Sequence, residues 1–297
     1  MRFVITPYAI AHALNTLVSL AVMILAWRRR RAPGVRSFTL MMAAVVIWSL
    51  GIAFESAAVG VPAKLLFSKL AYIGTVSVAP LFLLFALQYS GWKRPPALAA
   101  AALWFIPAVT MALAATNERH GLVWSSITPS PVPGANLVIY GHGPWFWISI
   151  SYYFIVVLAA SVLLVYAVLH RQRVFAWQTA LMMAGVAISW LSFVIYVTPL
   201  NPLPGLDTTP LGFSLTGILL LWAMSRHGLF DLVPVARDLL LERMNDGLVV
   251  LDERGRVVDL NLAARKLFGL DDSAIGKPAA QVLSDCPELA RLSSSRE

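Results

Sequence analysis

The chain has 297 residues, 59% of them hydrophobic and only 13% charged, against about 25% charged in an ordinary soluble domain, so a soluble globular protein is disfavoured from the start. The net charge of +8 is uneven: thirteen Lys/Arg against Glu55, Glu118 and Asp207 precede Arg226, while ten Lys/Arg face twelve acids from Arg226 onward, a break that marks a domain boundary. The positive charge sits in short loops between apolar runs, which is how membrane proteins are oriented and not how nucleic acid is gripped, and the single Cys286 excludes an internal disulfide framework or a Cys-cluster metal site.

A hydrocarbon core about 30 Å thick needs roughly 20 apolar residues of helix. Seven segments approach that length: Phe3–Trp27, Phe38–Val59, Lys64–Tyr89, Pro96–Ala115, Pro144–Leu169, Phe175–Val197 and Thr208–Met224. The first is a retained helix and not a cleaved signal, because its apolar run is long and the basic cluster Arg28–Arg31 follows it. The loops joining segments 1–2, 3–4 and 5–6 carry Arg28 to Arg31, Arg36, Lys93, Arg94, Arg171 and Arg173; the opposite side carries Arg2, Lys64 and Arg119. Nine charges against three put the N-terminus outside and the C-terminal end in the cytoplasm, as in a protein of the inner-membrane type.

One long outer connection, Thr116 to Gly143, holds Pro129, Pro131, Pro133 and Gly134, which argue against a long helix there. Its Trp124 and Tyr140, with Trp145 and Trp147 beyond, suit a membrane–water interface. After Met224 the pattern changes. Asp231-Leu-Val-Pro234 opens a helix with apolar positions at helical spacing through Leu241. Gly247–Leu251 and Val257–Leu260 read as short strands around an Asp252–Gly255 turn. Asn261 caps a helix Leu262–Phe268 that stops at Gly269. About 30 residues remain, too few for a five-stranded domain.

The stretch from Met244 to Gly269 resembles the opening of a PAS sensory domain, on its Asp246-Gly247 pair, its Leu251-Asp252 before a Gly turn, and its Asn-x-Ala-Ala helix start at Asn261. Ile275-Gly276-Lys277 continues the likeness. The membrane part resembles the seven-helix N-terminal sensor region of bacterial histidine kinases. The pieces that carry this are Trp48 to Glu55, Lys69 to Gly74 with Pro80, Asn117-Glu-Arg-His120 with Trp124, Tyr140 to Pro144, and Gly228 to Arg237. Each is weak alone; in order, and followed by a PAS start, they are specific. The expected architecture is an all-α seven-transmembrane bundle followed by a partial α/β PAS domain, with a sensor region 1–225, a signalling connector 226–244 and a PAS part 245–297. The resemblance implies an input region relaying an outer or intramembrane stimulus to an output domain, most simply that of a two-component histidine kinase, with a diguanylate cyclase or a separate partner as the alternative. No phosphoacceptor-His motif, ATP-binding box or cyclase signature occurs, and no His follows His227. The output is therefore expected beyond Glu297 or on a partner chain, and the protein is expected to be a homodimer in the lipid bilayer.

Charges inside a bilayer are costly and often functional. Glu55 and Lys69 fall at similar depth on segments 2 and 3, with Tyr72 on the same face as Lys69. Two readings stand: a buried ion pair holding the two helices in register, or part of an outward-facing pocket for an unknown small molecule. Asn117, Glu118, Arg119 and His120 form a polar knot with Trp124 nearby; His120 and His142 make a weak metal pair, so no metal is expected. His12 and Asn15, one turn apart, read as satisfied within the bundle. Glu55, Lys69, Tyr72, Asn117, His120 and Trp124 are the candidate ligand residues. For signal relay the resemblance points to Pro234, Arg237, Asp252 and Asn261. A haem PAS needs an axial His and a flavin PAS a cysteine in a different motif from Asp285-Cys286-Pro287, so no cofactor is expected. A retinal protein would need a Lys in the last segment, and it has none; no Ser/His/Asp or paired-Asp cluster supports an intramembrane enzyme, and no repeat with broken helices supports a transporter.

Overall fold

The computed structural model describes residues 1–32, 34–92, 95–132, 134–169, 176–198, 205–225, 244–252, 255–271 and 274–282. They fall into two compact units, Met1–Phe230 and Asp231–Glu297. Loop charges Lys93, Arg94, Arg171 and Arg173, the connector with Pro234 and Arg237, and Cys286 lie outside the described residues.

In the first unit, helices α1 (Pro7–Trp27), α2 (Val35–Ala57), α3 (Val61–Tyr89), α4 (Ala97–Ala115), α5 (Pro144–Leu169) and α6 (Ala176–Val197) precede a shorter α7 (Thr209–Ser225). The first six are long and apolar enough to cross a membrane. Their outward faces carry large aliphatics such as Leu14, Leu17, Ile47, Ile155 and Leu191, all more than 40% exposed. Water would not tolerate that surface in bulk; hydrocarbon does. α1 starts at Pro7 and not at Phe3, because Thr6 caps it, accepting Ala9 N–H at 3.1 Å, with Pro7 at the first helical position. The residues before it run extended along the end of α2, where Val4 N–H donates to Ala57 O at 2.8 Å.

Small residues set the helix crossings. A Cβ on Gly74 would overlap Ala44 O, and one on Gly51 would lie 2.6 Å from Ala71 Cβ, so α2 and α3 touch backbone to backbone. The Gly185 and Thr216 contact does the same for α6 and α7, where Ser189 Oγ lies 2.7 Å from Thr216 Oγ1. Phe38, Met41, Met42, Phe82, Phe85 and Leu220 fill the core between α2, α3 and α7. Asn15 is satisfied as expected, donating to Ser49 Oγ at 2.9 Å and Pro210 O at 3.3 Å. His12 is not: both ring nitrogens are buried without a hydrogen-bond partner among the described residues. Its neighbours Thr16 and Ser49 spend their hydroxyls on the His12 backbone carbonyl and leave the ring nothing to bind.

The connection between α4 and α5 begins with a 3₁₀ turn, Asn117–Arg119, and continues as an antiparallel hairpin of β1 (Trp124–Pro129) and β2 (Val138–His142) with a bulge at Trp124/Ser126. The sequence pattern reveals that this segment is not a long helix, and misses the strands.

In the second unit, β3 (Val249–Leu251) pairs antiparallel with β4 (Val257–Leu260), and a helix Leu262–Phe268 follows, ending at Gly269 in the left-handed conformation. Val257, Leu260, Ala264, Ala274 and Ala279 form its core. Asn261 organises it: its Oδ1 accepts Leu248 N–H and Ala264 N–H, both at 2.8 Å, and its Nδ2 donates to Asp246 O. Asp252 Oδ1 closes the hairpin turn by accepting Arg256 N–H at 2.8 Å. Gly276 N–H and Lys277 O bond to Val257 and lay that segment along β4.

Candidate functional site: an aromatic cavity under the hairpin

At the hairpin end of the helical unit, α2, α3, α5, α6 and the start of α7 diverge around a cavity of about 230 Å³. Each helix contributes by its own periodicity. Trp48, Ile52 and Glu55 are spaced four and three residues apart on α2, and Ser68, Tyr72 and Thr75 repeat that spacing on α3. The close glycine crossing of the two helices brings these rows together. Tyr153 from α5 donates its hydroxyl to Thr75 O, and α6 adds Trp190, Phe193 and Tyr196.

The hairpin closes this end. Asn117 is its keystone: its Oδ1 accepts Val123 and Trp124 N–H, both at 3.0 Å, while its Nδ2 donates to Trp124 O at 2.9 Å. All three bonds lie in a buried place, so each is expensive to lose. Trp124 then packs edge-on against Tyr72, ring centroids 4.9 Å apart. The turn end of the hairpin is held by Lys64, whose ammonium donates to Glu55 O at 2.8 Å and Asn136 O at 2.5 Å. A cation suits the exposed carbonyls at the end of α2. Asn136 returns the contact, donating to Ser56 O and Ala58 O. On the far side, Gly205 (φ +95°) lies so close to β2 that a Cβ would sit 2.7 Å from Val138 O. This contact places Asp207, two residues on, at the cavity wall.

Two carboxylates, Glu55 and Asp207, stand among hydroxyl groups of Ser, Thr and Tyr in the cavity wall. Glu55 Oε1 accepts the Tyr140 hydroxyl at 2.7 Å, and Ser68 Oγ lies 2.5 Å from that hydroxyl. Burial, reinforced by the Glu55 charge, pushes the Tyr140 phenol far above its usual range, so it remains a donor. Asp207 Oδ1 accepts Thr209 N–H at 2.9 Å, and the Trp48 indole also donates to the carboxyl. Burial raises Asp207 to about 6 in spite of these bonds. Burial lowers His142, and its ring stacks flat on Phe146 at 3.7 Å. No Lys or Arg lines the cavity among the described residues.

Of the six expected ligand residues, Glu55, Tyr72 and Trp124 line this cavity. Asn117 lies beneath the hairpin as its support. His120 is exposed, with Nε2 3.1 Å from Thr116 Oγ1 and Nδ1 accepting Leu122 N–H, and among the described residues no cluster of metal-ligating side chains forms. The ion pair between Glu55 and Lys69 does not form. Lys69 instead meets Glu118 at 2.6 Å and donates to Ala115 O, because the end of α4 lies over that face of α3. The hydrogen bonds Lys69 gives, with a smaller contribution from its charge, hold the exposed Glu118 carboxyl below its usual range. Sequence reasoning passes over Asp207, although the rule that singles out Glu55 applies to it: it is one of three acids before Arg226 and stands at the mouth of an apolar segment. Tyr140 and Trp48 carry a signal as well, since both stand in the motifs that suggest the family.

A family model for the N-terminal 7TM region of histidine kinase matches residues 12–234, and one for a PAS domain matches residues 238–296. No curated protein and no solved structure matches the chain. The first match covers most of the chain and agrees with the helical unit described above, and the second follows it directly: this is a multi-pass membrane protein, and it belongs to the family of N-terminal 7TM regions of histidine kinases, here joined to a PAS domain.

Proposed function

We propose that this chain is the input half of a bacterial two-component histidine kinase, and that its stimulus is read in the cavity under the hairpin. One observation carries the reading: the cavity wall is built by α2, α3, α5 and α6 together with Asp207, Thr209 and Phe213 at the start of α7. Among the described residues α7 is the last helix before the PAS segment, so whatever fills the cavity bears on the helix from which the chain continues toward that module. A ligand shifts such an equilibrium only by its differential affinity for two packings, and a site whose wall belongs to six separate helices, α4 adding Thr110, offers that difference. The charge count supports a hairpin end outside and a PAS part in the cytoplasm of the inner membrane. On this reading residues 1–225 sense, 226–244 with Pro234 and Arg237 transmit, and 245–297 receive through the Asp252 turn and the Asn261 cap, in a homodimer.

The test is to read the coding sequence beyond Glu297 and assay the intact product in membranes with labelled ATP. Phosphate on a downstream histidine is the expected result. A cyclase output would keep the sensor and replace the kinase. A product that ends at Glu297 and neither takes up phosphate nor drives a partner's phosphorylation overturns the proposal.

A further inference from the structure

The lining of the cavity is chemically one-sided, and this specifies its occupant. Resting on the reading that the cavity is the sensing site, we propose that it binds a small organic ammonium cation. Glu55 and Asp207 face it from α2 and from the entry of α7, near enough to repel each other. Of the nearby cations, Lys69 is paired with Glu118, and Lys64 is bonded to two backbone carbonyls, from where its charge only partly offsets that of Glu55. His142 is held neutral by burial and stacked on Phe146. An anion entering here meets two carboxylates. A neutral apolar molecule strips their water and gives nothing back, which leaves buried charge unpaired.

A cation answers both. A carboxylate has about four acceptor sites; Tyr140 and Ser68 take two on Glu55, and Thr209 N–H, the Thr209 hydroxyl and the Trp48 indole take three on Asp207. Capacity therefore remains on each. The wall is also rich in aromatic rings, with Trp48, Tyr72, Trp124, Tyr153, Trp190 and Tyr196 around the same space. Ring faces attract a cation within about 6 Å of their centroids, and a desolvated site strengthens the effect. Ca²⁺ and Mg²⁺ are a poor fit, since they require a shell of about six or more oxygens, and among the described residues no His/Cys/Asp/Glu group could hold a metal ion. The cavity's 230 Å³ suits a compact organic cation.

The experiment titrates the full chain in lipid nanodiscs with choline, with tetramethylammonium, and with 3,3-dimethylbutan-1-ol, the uncharged isostere of choline, and reads tryptophan fluorescence and calorimetric heat. At least one ammonium is expected to bind at sub-millimolar concentration, with the neutral isostere at least tenfold weaker. Asp207→Asn and Glu55→Gln should each weaken the cation tenfold or more, and Asp207→Glu should recover most of the loss. Lys69→Met, at a residue that does not line the cavity, should change affinity less than twofold. Thermal unfolding of each variant shows whether it is folded. Equal binding of the isostere, or no ammonium binding up to 50 mM by folded wild-type protein, overturns the proposal. Its failure is distinct from failure of the sensor reading: a chain with kinase output but no ammonium affinity has another stimulus, whereas ammonium binding without any output leaves the site and removes the sensor.

Discussion

Asp207 shows how much one side chain bears here. Its carboxyl is buried against Trp48 and Thr209, and the titratable groups that face it are Glu55 of α2, Tyr72 of α3 and Tyr196 of α6. With its pKa raised to about 6 from the usual 3.8, the folded protein holds a proton that the unfolded chain has already released between those values. By linkage the group's ionisation costs stability as pH rises through 6, and the cost persists above it. Asp207→Asn keeps the acceptor for Thr209 N–H and removes the charge, so the empty protein should gain about 1 kcal/mol at pH 7.5 in thermal unfolding, discounted for the partial opening to water. The same ionisation is what attracts a cation. Choline, which does not titrate, should therefore bind progressively more weakly as pH falls from 7 to 5, and in Asp207→Asn that slope should become shallower, leaving only the part that Glu55 supplies. A flat profile in the wild type would remove Asp207 from the site. The residue is legible by the rule that buried acids are rarely idle. The Glu55–Lys69 pairing fails for a different reason. Depth along two helices can be counted from the sequence, but which third helix covers a given face cannot, and α4 brings Glu118 to Lys69 first.

The seven helices themselves are readable because length and hydropathy suffice to place a span, and the ends move by only a few residues where caps decide them, as at Thr6. The hairpin is not. β1 has an irregular pattern, one buried residue followed by mostly exposed ones, and so lacks the alternation that announces a strand. Its shape comes from Asn117, whose three bonds to the backbone at Val123 and Trp124 are tertiary in character and invisible to periodicity. Helix packing has a similar split. Gly51 and Gly74 look alike as small residues, and the structure shows why they matter. At Gly74 a Cβ would strike backbone, overlapping Ala44 O and lying 2.6 Å from Trp48 N, neither of which can yield without moving a helix. At Gly217 it would strike Met42 Sδ at 2.5 Å, the end of a flexible side chain. Gly74→Ala should therefore cost about 2–3 kcal/mol of stability and also weaken the cavity, whose α2 and α3 rows depend on that crossing. Gly217→Ala should cost about 1 kcal/mol or less, since the sulfur can move aside. Thermal melts of the two variants in one detergent decide it, and equal losses would mean that the α2–α3 contact relaxes more easily than its geometry states.

Across the whole molecule, the loop charges, the hairpin and the cavity make one argument about direction. The nine positive charges assigned to one side include Arg28 to Arg31 and Arg36, grouped at the end of the bundle opposite the hairpin, where Arg30, Arg31 and Arg36 gather beside Gln88 and Trp92. The side with few loop charges is the side with the cavity. Of its three loop cations, Arg2, Lys64 and Arg119, Lys64 is buried on carbonyls, so the exposed count is more lopsided than the sequence count. A positive-inside bias of that size supports the proposed orientation, with the hairpin outside, where a water-borne cation reaches the cavity without crossing lipid. The chain supplies its own control, since Cys286 is the single cysteine and belongs to the PAS part. Introducing Ser125→Cys, an exposed position on β1, gives a second thiol on the other side. In intact spheroplasts a membrane-impermeant maleimide should label Ser125→Cys protein, and wild-type protein should become labelled only after lysis. Labelling of Cys286 in intact cells would invert the topology and put the cavity in the cytoplasm, where the sensed cation would have to be an internal one.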